Sequence, residues 1–386
     1  MMNKPIPYGR QCITDDDIKA VIETLKSDYL TQGPKIAEFE KCFADYVGCK
    51  YAVAVNNATA GLHLGATSLG VKPGDKVIVT PLTFAASANC IRYCGGEVVF
   101  CDIDKDNYLM DLNELEKILK SAPKGTYKGI VPVDFAGYPL DLEKFKSLAD
   151  EYNLWIMEDA CHAPGAYFID SKDEKQLSGN GNFADLAVFS FHPVKHIATG
   201  EGGMVTTNDK ALYEKLCLYR THGITKEPAL LTKNDGGWYY EMIDLGYNYR
   251  ITDFQAALGI SQLKRANSGL SRRQQIAEKY TAAFSSIKGI KTPNIESNVY
   301  HAYHLYIIQV EDRLGLYNYL RENNIYSQIH YVPLHLMPYY KQFGWKEGDL
   351  PVVEEYYKHC LSLPMFPTLT DEEQSWVIEK VLEFVS

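Results

Sequence analysis

The sequence predicts an α/β fold: a central, largely parallel sheet with helices on both faces, followed by a smaller C-terminal α+β domain. Three observations carry this. Short apolar runs alternate with amphipathic helical patterns over the first 250 residues, the signature of repeated strand–helix–strand units. The runs are apolar throughout rather than alternating, as strands buried on both faces are. The chain has 386 residues, 46% of them hydrophobic and 23% charged, enough for two domains and a large core without disulfide help.

The elements follow in order. After a short N-terminal arm, ITDDDIKAVIETLKS has helical periodicity with three acids in its first turn, where the helix dipole favours them. LTQGPKIAEFEKCFADYVG reads as a turn and a second helix that stops at Gly48. YAVAV is a strand, and NNATAGLHLGATSLG opens a helix behind it. KVIVT, VVFCDI, GIVPVD and LWIMED are further strands, separated in part by the helices LEKILKSA and LEKFKSLADEYN; ADLAVFSF and GGMVTTN close the series. DFQAALGISQLKRANSGLSRRQQIAEKYTAAF is one long helix or a bent pair joining two domains. The boundary is expected near 260–275, dividing an arm and large cofactor-binding domain (1–265) from a small domain (266–386) that contains YHLYIIQV, LYNYLRENN, SQIHYVPL and a final helix.

Charge and composition exclude several classes. Lys and Arg number 39 against 49 Asp and Glu, a net charge of −10, which argues against a nucleic-acid partner. No run approaches the ~18 apolar residues that span a bilayer, and MMNKPIPYGRQ lacks the apolar core of a signal peptide. The nine scattered cysteines include no Cys-x-x-Cys pair; they read as buried thiols of a cytoplasmic protein.

Four segments could carry chemistry. LWIMEDACHAPGA ends a buried strand on Glu158 and Asp159; a carboxylate there needs a partner, either as a helix cap or as the acid that keeps a cofactor nitrogen protonated. ADLAVFSFHPVKHIATGEGGMV runs from a strand through Ser190 to Lys195 and a glycine-rich turn. Most lysines only solubilise a surface, but one at a sheet rim among apolar residues loses solvation, and its amine becomes a nucleophile able to form an imine. His192 and His196 are four apart, yet Pro193 and the loop context argue against a metal. In VNNATAGLHL, Asn57, Ala58 and Thr59 precede a helix whose free N–H groups could cradle a phosphate, although many helices begin this way. In TPLTFAASAN, Phe84 is either a core residue or a stacking face for a flat ring. A carboxylate for a ring nitrogen, a helix N-terminus for a phosphate, an aromatic face and an amine for an aldehyde together match one common cofactor, pyridoxal phosphate.

EDACHAPGA, SFHPVKHIATGEGG, GYNYRITDFQAALGISQL and LPMFPTLTDEE resemble, in order and over nearly the whole chain, the DegT/DnrJ/EryC1/StrS family of sugar aminotransferases. The resemblance implies the fold-type I aminotransferase architecture and a homodimer with active sites at the subunit interface. It implies that Lys195 holds the cofactor as a Schiff base and then moves the proton, and that Asp159 pairs with the pyridinium nitrogen. His162 would contact the ring hydroxyl or stack near it. Ala58, Thr59 and Ser190 would bind the phosphate, with Asn248 of the second subunit, and Phe84 would lie over the ring. Substrate contacts map to Tyr8, to Asp28, Tyr29, Leu30 and Thr31, and to Gln328, Ile329, His330 and Tyr331. Arg250, beside Asn248, is either functional or a structural interface residue.

SDYLTQGP, GGWYYEMIDLGYNYR and SQIHYVPLHLMPYY resemble the branch that aminates C4 of a UDP-linked 4-keto-6-deoxy-N-acetyl hexose in pseudaminic acid-type biosynthesis, with L-glutamate as the common donor. Amination at C3, or of a dTDP- or GDP-sugar, stays open. A sugar dehydratase of the same fold would carry His in place of Lys195, and a regulatory cofactor sensor would carry a fused DNA-binding domain. A nicotinamide dehydrogenase would need a glycine-rich fingerprint where the chain has YAVAVNNATAG.

Overall fold

The computed structural model describes residues 4–385. Its centre is a seven-stranded sheet made of β1 (Tyr51–Val55), β2 (Lys76–Val79), β3 (Glu97–Phe100), β4 (Tyr127–Val131), β5 (Trp155–Asp159), β6 (Leu186–Ser190) and β7 (Gly203–Thr207). The spatial order is β1-β7-β6-β5-β4-β2-β3. Every neighbouring pair is parallel except those of β7, which runs antiparallel to β1 and to β6. The chain leaves β1 at one edge, builds β2 and β3 at the other, and then fills inward. The carboxyl ends of β1, β2, β4, β5 and β6 therefore meet along one rim, and β7 begins there.

Helices cover both faces, which is why β6 and β7 are buried along their whole length. The expected helices form, α1 (Asp15–Leu25), α2 (Pro34–Val47), α3 (Ala58–Ser68), α4 (Ala86–Tyr93), α5 (Leu112–Lys120) and α6 (Leu142–Tyr152), and a further helix, α7 (Lys210–Arg220), follows β7. Their ends follow local chemistry. Thr14 and Asp17 form a capping box on α1, and α2 starts at Pro34 and stops at Gly48, where φ is 80°. The spine is a bent pair, α8 (Asp253–Leu263) and α9 (Ala266–Phe284). The helix breaks at Arg265, whose guanidinium is drawn to the fully buried Asp17 of α1 and to the Cys12 carbonyl.

Beyond the spine, β8 (Ile290–Lys291), β9 (Tyr306–Val310) and β10 (Cys360–Leu363) form an antiparallel sheet, flanked by α10 (Arg313–Glu322), α11 (Pro351–His359) and α12 (Asp371–Val385). Residues Tyr306, Ile308 and Val310 of β9 join a core with Tyr280, Phe284, Leu316 and Val377, while Leu305 and Ile307 join the core of the large sheet. The two-residue period of the strand thus places one segment between two cores. SQIHYVPL is mostly irregular; Gln328 makes a bridge to Ser362 of β10, and Ile325–Tyr326 pairs with Ile6–Pro7 of the N-terminal arm. Among the described residues no helix is long and apolar enough to cross a membrane.

Arg273 of α9 is fully buried and has no carboxylate partner among the described residues. Its guanidinium donates instead to the carbonyls of Tyr303 (3.0 Å), His304 (3.3 Å) and Met365 (3.0 Å). Burial pushes its pKa down to about 10, so it stays charged at neutral pH. It ties the segment before β9 and the segment after β10 to the spine. Replacing Arg273 with Leu leaves three carbonyls without a donor, and a loss of about 2–4 kcal/mol is expected. Urea unfolding of the variant measures this; an unchanged midpoint would show that those carbonyls find donors elsewhere.

Candidate active site

The rim where the strand ends meet encloses a cavity of about 800 Å3. Each wall comes from the segment that follows a strand. Asn57, Ala58 and Thr59 follow β1, Thr83 and Phe84 follow β2, and Val133 follows β4. Asp159 is the last residue of β5 and Ser190 the last of β6. Lys195 lies on the loop between β6 and β7, and Tyr8, Gln328, Ile329, His330 and Tyr331 close the remaining side.

Asp159 is 4% exposed. Its Oδ2 accepts the Ser87 hydroxyl (2.6 Å) and its Oδ1 the Cys161 N–H (3.1 Å), so both oxygens are aimed by fixed donors. The Thr83 hydroxyl in turn donates to Ser87 (2.7 Å). Strand alternation sends Glu158 to the opposite face, where both its oxygens accept the Gly179 N–H at 3.2 and 3.0 Å. Burial pushes the Glu158 carboxyl far above its usual range and pushes Asp134 beside it up to about 6. The sequence pair Glu158–Asp159 is therefore divided by the pleat into one cavity-facing anion and one buried structural acid.

Lys195 is half-buried, and loss of solvation lowers its amine to about 8, against the partial opposition of Cys161 and Asp159. Its Nζ lies 3.4 Å from His304 Nε2. His304 packs against His162 with centroids 4.3 Å apart and the rings tilted by 38°, and burial pushes both rings far below the usual histidine range, so both are neutral. The tautomer of His162 follows from its partner. The Ala136 N–H can only donate, to Nδ1 at 3.2 Å, so the ring proton sits on Nε2, which faces the Tyr331 hydroxyl at 3.3 Å. Burial raises the Tyr331 hydroxyl well above the usual range and keeps it a phenol. His196 donates from Nε2 to the Ala302 carbonyl (2.9 Å), and no group of His, Cys, Asp and Glu among the described residues has metal-site geometry.

At the mouth of the cavity, Phe84 is 63% exposed, which removes the core reading and leaves an aromatic face open to a ligand. At its back, the Asn57 side chain caps α3 by accepting the Ala60 N–H (2.8 Å). The first-turn N–H groups of Ala58 and Thr59 have no intrahelical acceptor. Ser190 adds a hydroxyl beside them. Gly203 of β7 packs so closely that a Cβ there would stand 2.8 Å from the Ala58 nitrogen and 2.8 Å from the Asn57 carbonyl carbon.

Five sequence candidates lie away from this cavity within one chain. Asp28 and Tyr29 line a separate cavity of about 700 Å3 between α1, the start of α2 and α8. Leu30 is exposed and its carbonyl accepts the Asp253 N–H (2.9 Å); Thr31 bridges Thr252 and Asn248 bridges Thr221. Conversely, Ser87, Thr83, Cys161, His304 and Glu201 line the cavity and were not among the sequence candidates. Cys161 could have been suspected from its place two residues after Asp159. His304 carries no local signal: its loop comes from the C-terminal part of the chain.

The residues fit pyridoxal phosphate by the chemistry of the donor set: a carboxylate with both oxygens aimed, a capped helix N-terminus for the phosphate, an aromatic face and a poorly solvated amine. A methyl group at position 203 would push into the phosphate end. Gly203→Ala is therefore expected to weaken pyridoxal phosphate binding about tenfold with the fold retained, as measured by equilibrium dialysis and circular dichroism. Unchanged affinity would move the phosphate away from α3.

The model of the DegT/DnrJ/EryC1/StrS aminotransferase family matches residues 11–382. The spore coat polysaccharide biosynthesis protein SpsC of Bacillus subtilis is 40% identical, over 99% of this chain and 98% of its own length. The UDP-4-amino-4,6-dideoxy-N-acetyl-beta-L-altrosamine transaminase of Campylobacter jejuni is 36% identical, over 96% of this chain and 95% of its own. The solved structure of Helicobacter pylori PseC, described as an aminotransferase involved in the biosynthesis of pseudoaminic acid, superposes with a TM-score of 0.88 at 31% identity, covering 99% of both chains. Family, fold and cavity agree: the chain belongs to the DegT/DnrJ/EryC1/StrS aminotransferase family and is a pyridoxal phosphate-dependent sugar aminotransferase.

Proposed function

We propose that this enzyme moves an amino group from an amino acid, L-glutamate, to C4 of a UDP-linked 4-keto-6-deoxy-N-acetyl hexose. The names of the Campylobacter and Helicobacter relatives support this substrate, and the observation that carries the chemistry is Lys195 and Asp159 facing one cavity that ends on a helix N-terminus. Pyridoxal phosphate, when bound, supplies the electron sink for the carbon that loses its proton. Asp159, aimed by Ser87 and the Cys161 N–H, holds the proton on the ring nitrogen. Ala58, Thr59 and Ser190 bind the phosphate, and Phe84 covers the ring face. Lys195 would hold the cofactor's aldehyde carbon, and its amine, tethered in the cavity, would stand beside the carbon that loses its proton, an arrangement that can lower a barrier by several kcal/mol. His162, kept neutral with its proton on Nε2, offers a hydrogen-bond donor inside the cavity. The donor leaves as its 2-oxo acid, and the keto sugar then takes the nitrogen.

The enzyme works as a cytoplasmic homodimer in this reading. Asn248 and the stretch Asp28, Tyr29, Leu30 and Thr31, which lie off the cavity of their own chain, serve the cavity of the second subunit together with this chain's Tyr8, Gln328, Ile329, His330 and Tyr331. Residues 1–265 form the arm and cofactor domain, and residues 266–386 the small domain.

Lys195→Ala is expected to fold, to lose turnover by at least about a thousandfold, and to leave no cofactor on the Lys195 peptide after borohydride reduction. Substantial residual turnover rejects the assignment. Purified 4-keto and 3-keto sugar nucleotides, offered with glutamate and read by product mass and NMR, test the substrate; amination of a 3-keto or a dTDP- or GDP-linked sugar instead would move the enzyme to another branch of the family.

The pH dependence follows from the amine. Only its neutral form attacks an aldehyde, so uptake of pyridoxal phosphate by cofactor-free protein should rise about tenfold per pH unit at low pH and level off above about 8. A rise that continues to the ordinary lysine value of 10.5 would mean that the amine is solvated.

A further inference from the structure

A dicarboxylic amino donor brings two negative charges to a cavity that, among the described residues, is lined by one lysine and no arginine. That lysine is committed to the chemistry. Desolvated carboxylates need cationic or hydrogen-bonding partners, and a cation other than Lys195 has to come from beyond this wall.

A second cavity, of about 250 Å3, shares Lys195 with the first and no other residue. Arg10, Arg265, Arg272, His196 and Thr368 also line it, and no carboxylate does. Two of its arginines are already paired: Arg265 with Asp17, and Arg272 with Asp371 at 3.0 Å. His196 contributes no charge, because burial pushes its ring far below the usual histidine range, and its Nε2–H is held by the Ala302 carbonyl. Arg10 is different. It has no carboxylate partner among the described residues, its guanidinium lies over the Phe366 ring at 5.0 Å, and one nitrogen reaches the Thr368 hydroxyl at 3.5 Å. An exposed guanidinium with no carboxylate partner, stacked on Phe366, thus lines a cavity that Lys195 also lines. The volume admits a small dicarboxylate and is too small for a base, two phosphates and a sugar ring.

Building on the transaminase reading above, we propose that this cavity seats the side-chain carboxylate of a dicarboxylic amino donor, with Arg10 as its cationic partner and Thr368 as a hydroxyl donor. The donor amine then lies by Lys195 with the acid side chain extended away from the sugar-nucleotide space. Both substrates can use one reacting centre in turn without sharing an anion site.

The probe is glutarate, which has the two carboxylates and no amine, titrated calorimetrically into the full-length, cofactor-free protein. It should bind, and Arg10→Gln should weaken it about tenfold or more, with Arg10→Lys in between. In steady state Arg10→Gln should raise the KM for glutamate while the KM for the keto sugar stays within about twofold. Unchanged glutarate affinity in Arg10→Gln overturns the proposal. So does a loss seen only in Arg250→Gln, or binding of pyrophosphate in place of glutarate. Borohydride trapping on Lys195 separates the two readings. A protein that traps the cofactor but binds no glutarate loses only this carboxylate site; one that binds glutarate through Arg10 but never takes the cofactor loses the transaminase assignment.

Discussion

The carboxyl ends of the parallel strands share one rim of the sheet, and the rest of the molecule is arranged around that constraint. A parallel strand delivers its carboxyl end, with whatever loop follows it, to the same side as its neighbours. The N-terminus of α3, the Asp159 carboxylate and Lys195 come from segments near residues 58, 159 and 195, yet they line one cavity. The single antiparallel strand, β7, reinforces the arrangement. Running the other way, it starts at the rim, and its first residue is a glycine whose missing side chain leaves room for the N-terminus of α3.

Around Lys195 the site excludes charge more than it supplies it. Three histidines, His162, His196 and His304, are neutral because burial penalises their cationic forms, and the acid at Glu158 is driven to hold its proton. The amine is of depressed basicity, and of the two carboxylates on the cavity wall, Asp159 and Glu201, Asp159 has both oxygens aimed by fixed donors. A neutral surrounding lets a weakly solvated amine exist in its nucleophilic form near neutral pH.

The C-terminal segments are part of the site rather than an appendage. β9 lies between two cores, and Arg273 holds the carbonyls of Tyr303 and His304 from the spine. The histidine nearest the reactive amine is therefore positioned by a buried guanidinium on another helix. The same C-terminal part brings Tyr331 to His162 and Pro367 and Thr368 to the basic cavity.

Local patterns alone determined much of this molecule. The helix caps at Thr14, Asn57 and Gly48, the buried strands, and the division into a parallel α/β body and an α+β tail follow from short-range chemistry and periodicity, which act within a few residues. The order of family-like motifs was legible too, and Lys195 and Asp159, which those motifs single out, do line one cavity. Tertiary structure decided the rest. Whether Phe84 is core or open, which of Glu158 and Asp159 meets the cavity, where the spine breaks, and that Ser87 approaches Asp159 and His304 approaches Lys195 depend on contacts between segments up to hundreds of residues apart. Burial and charge neutralisation are properties of such contacts, and no local pattern encodes them.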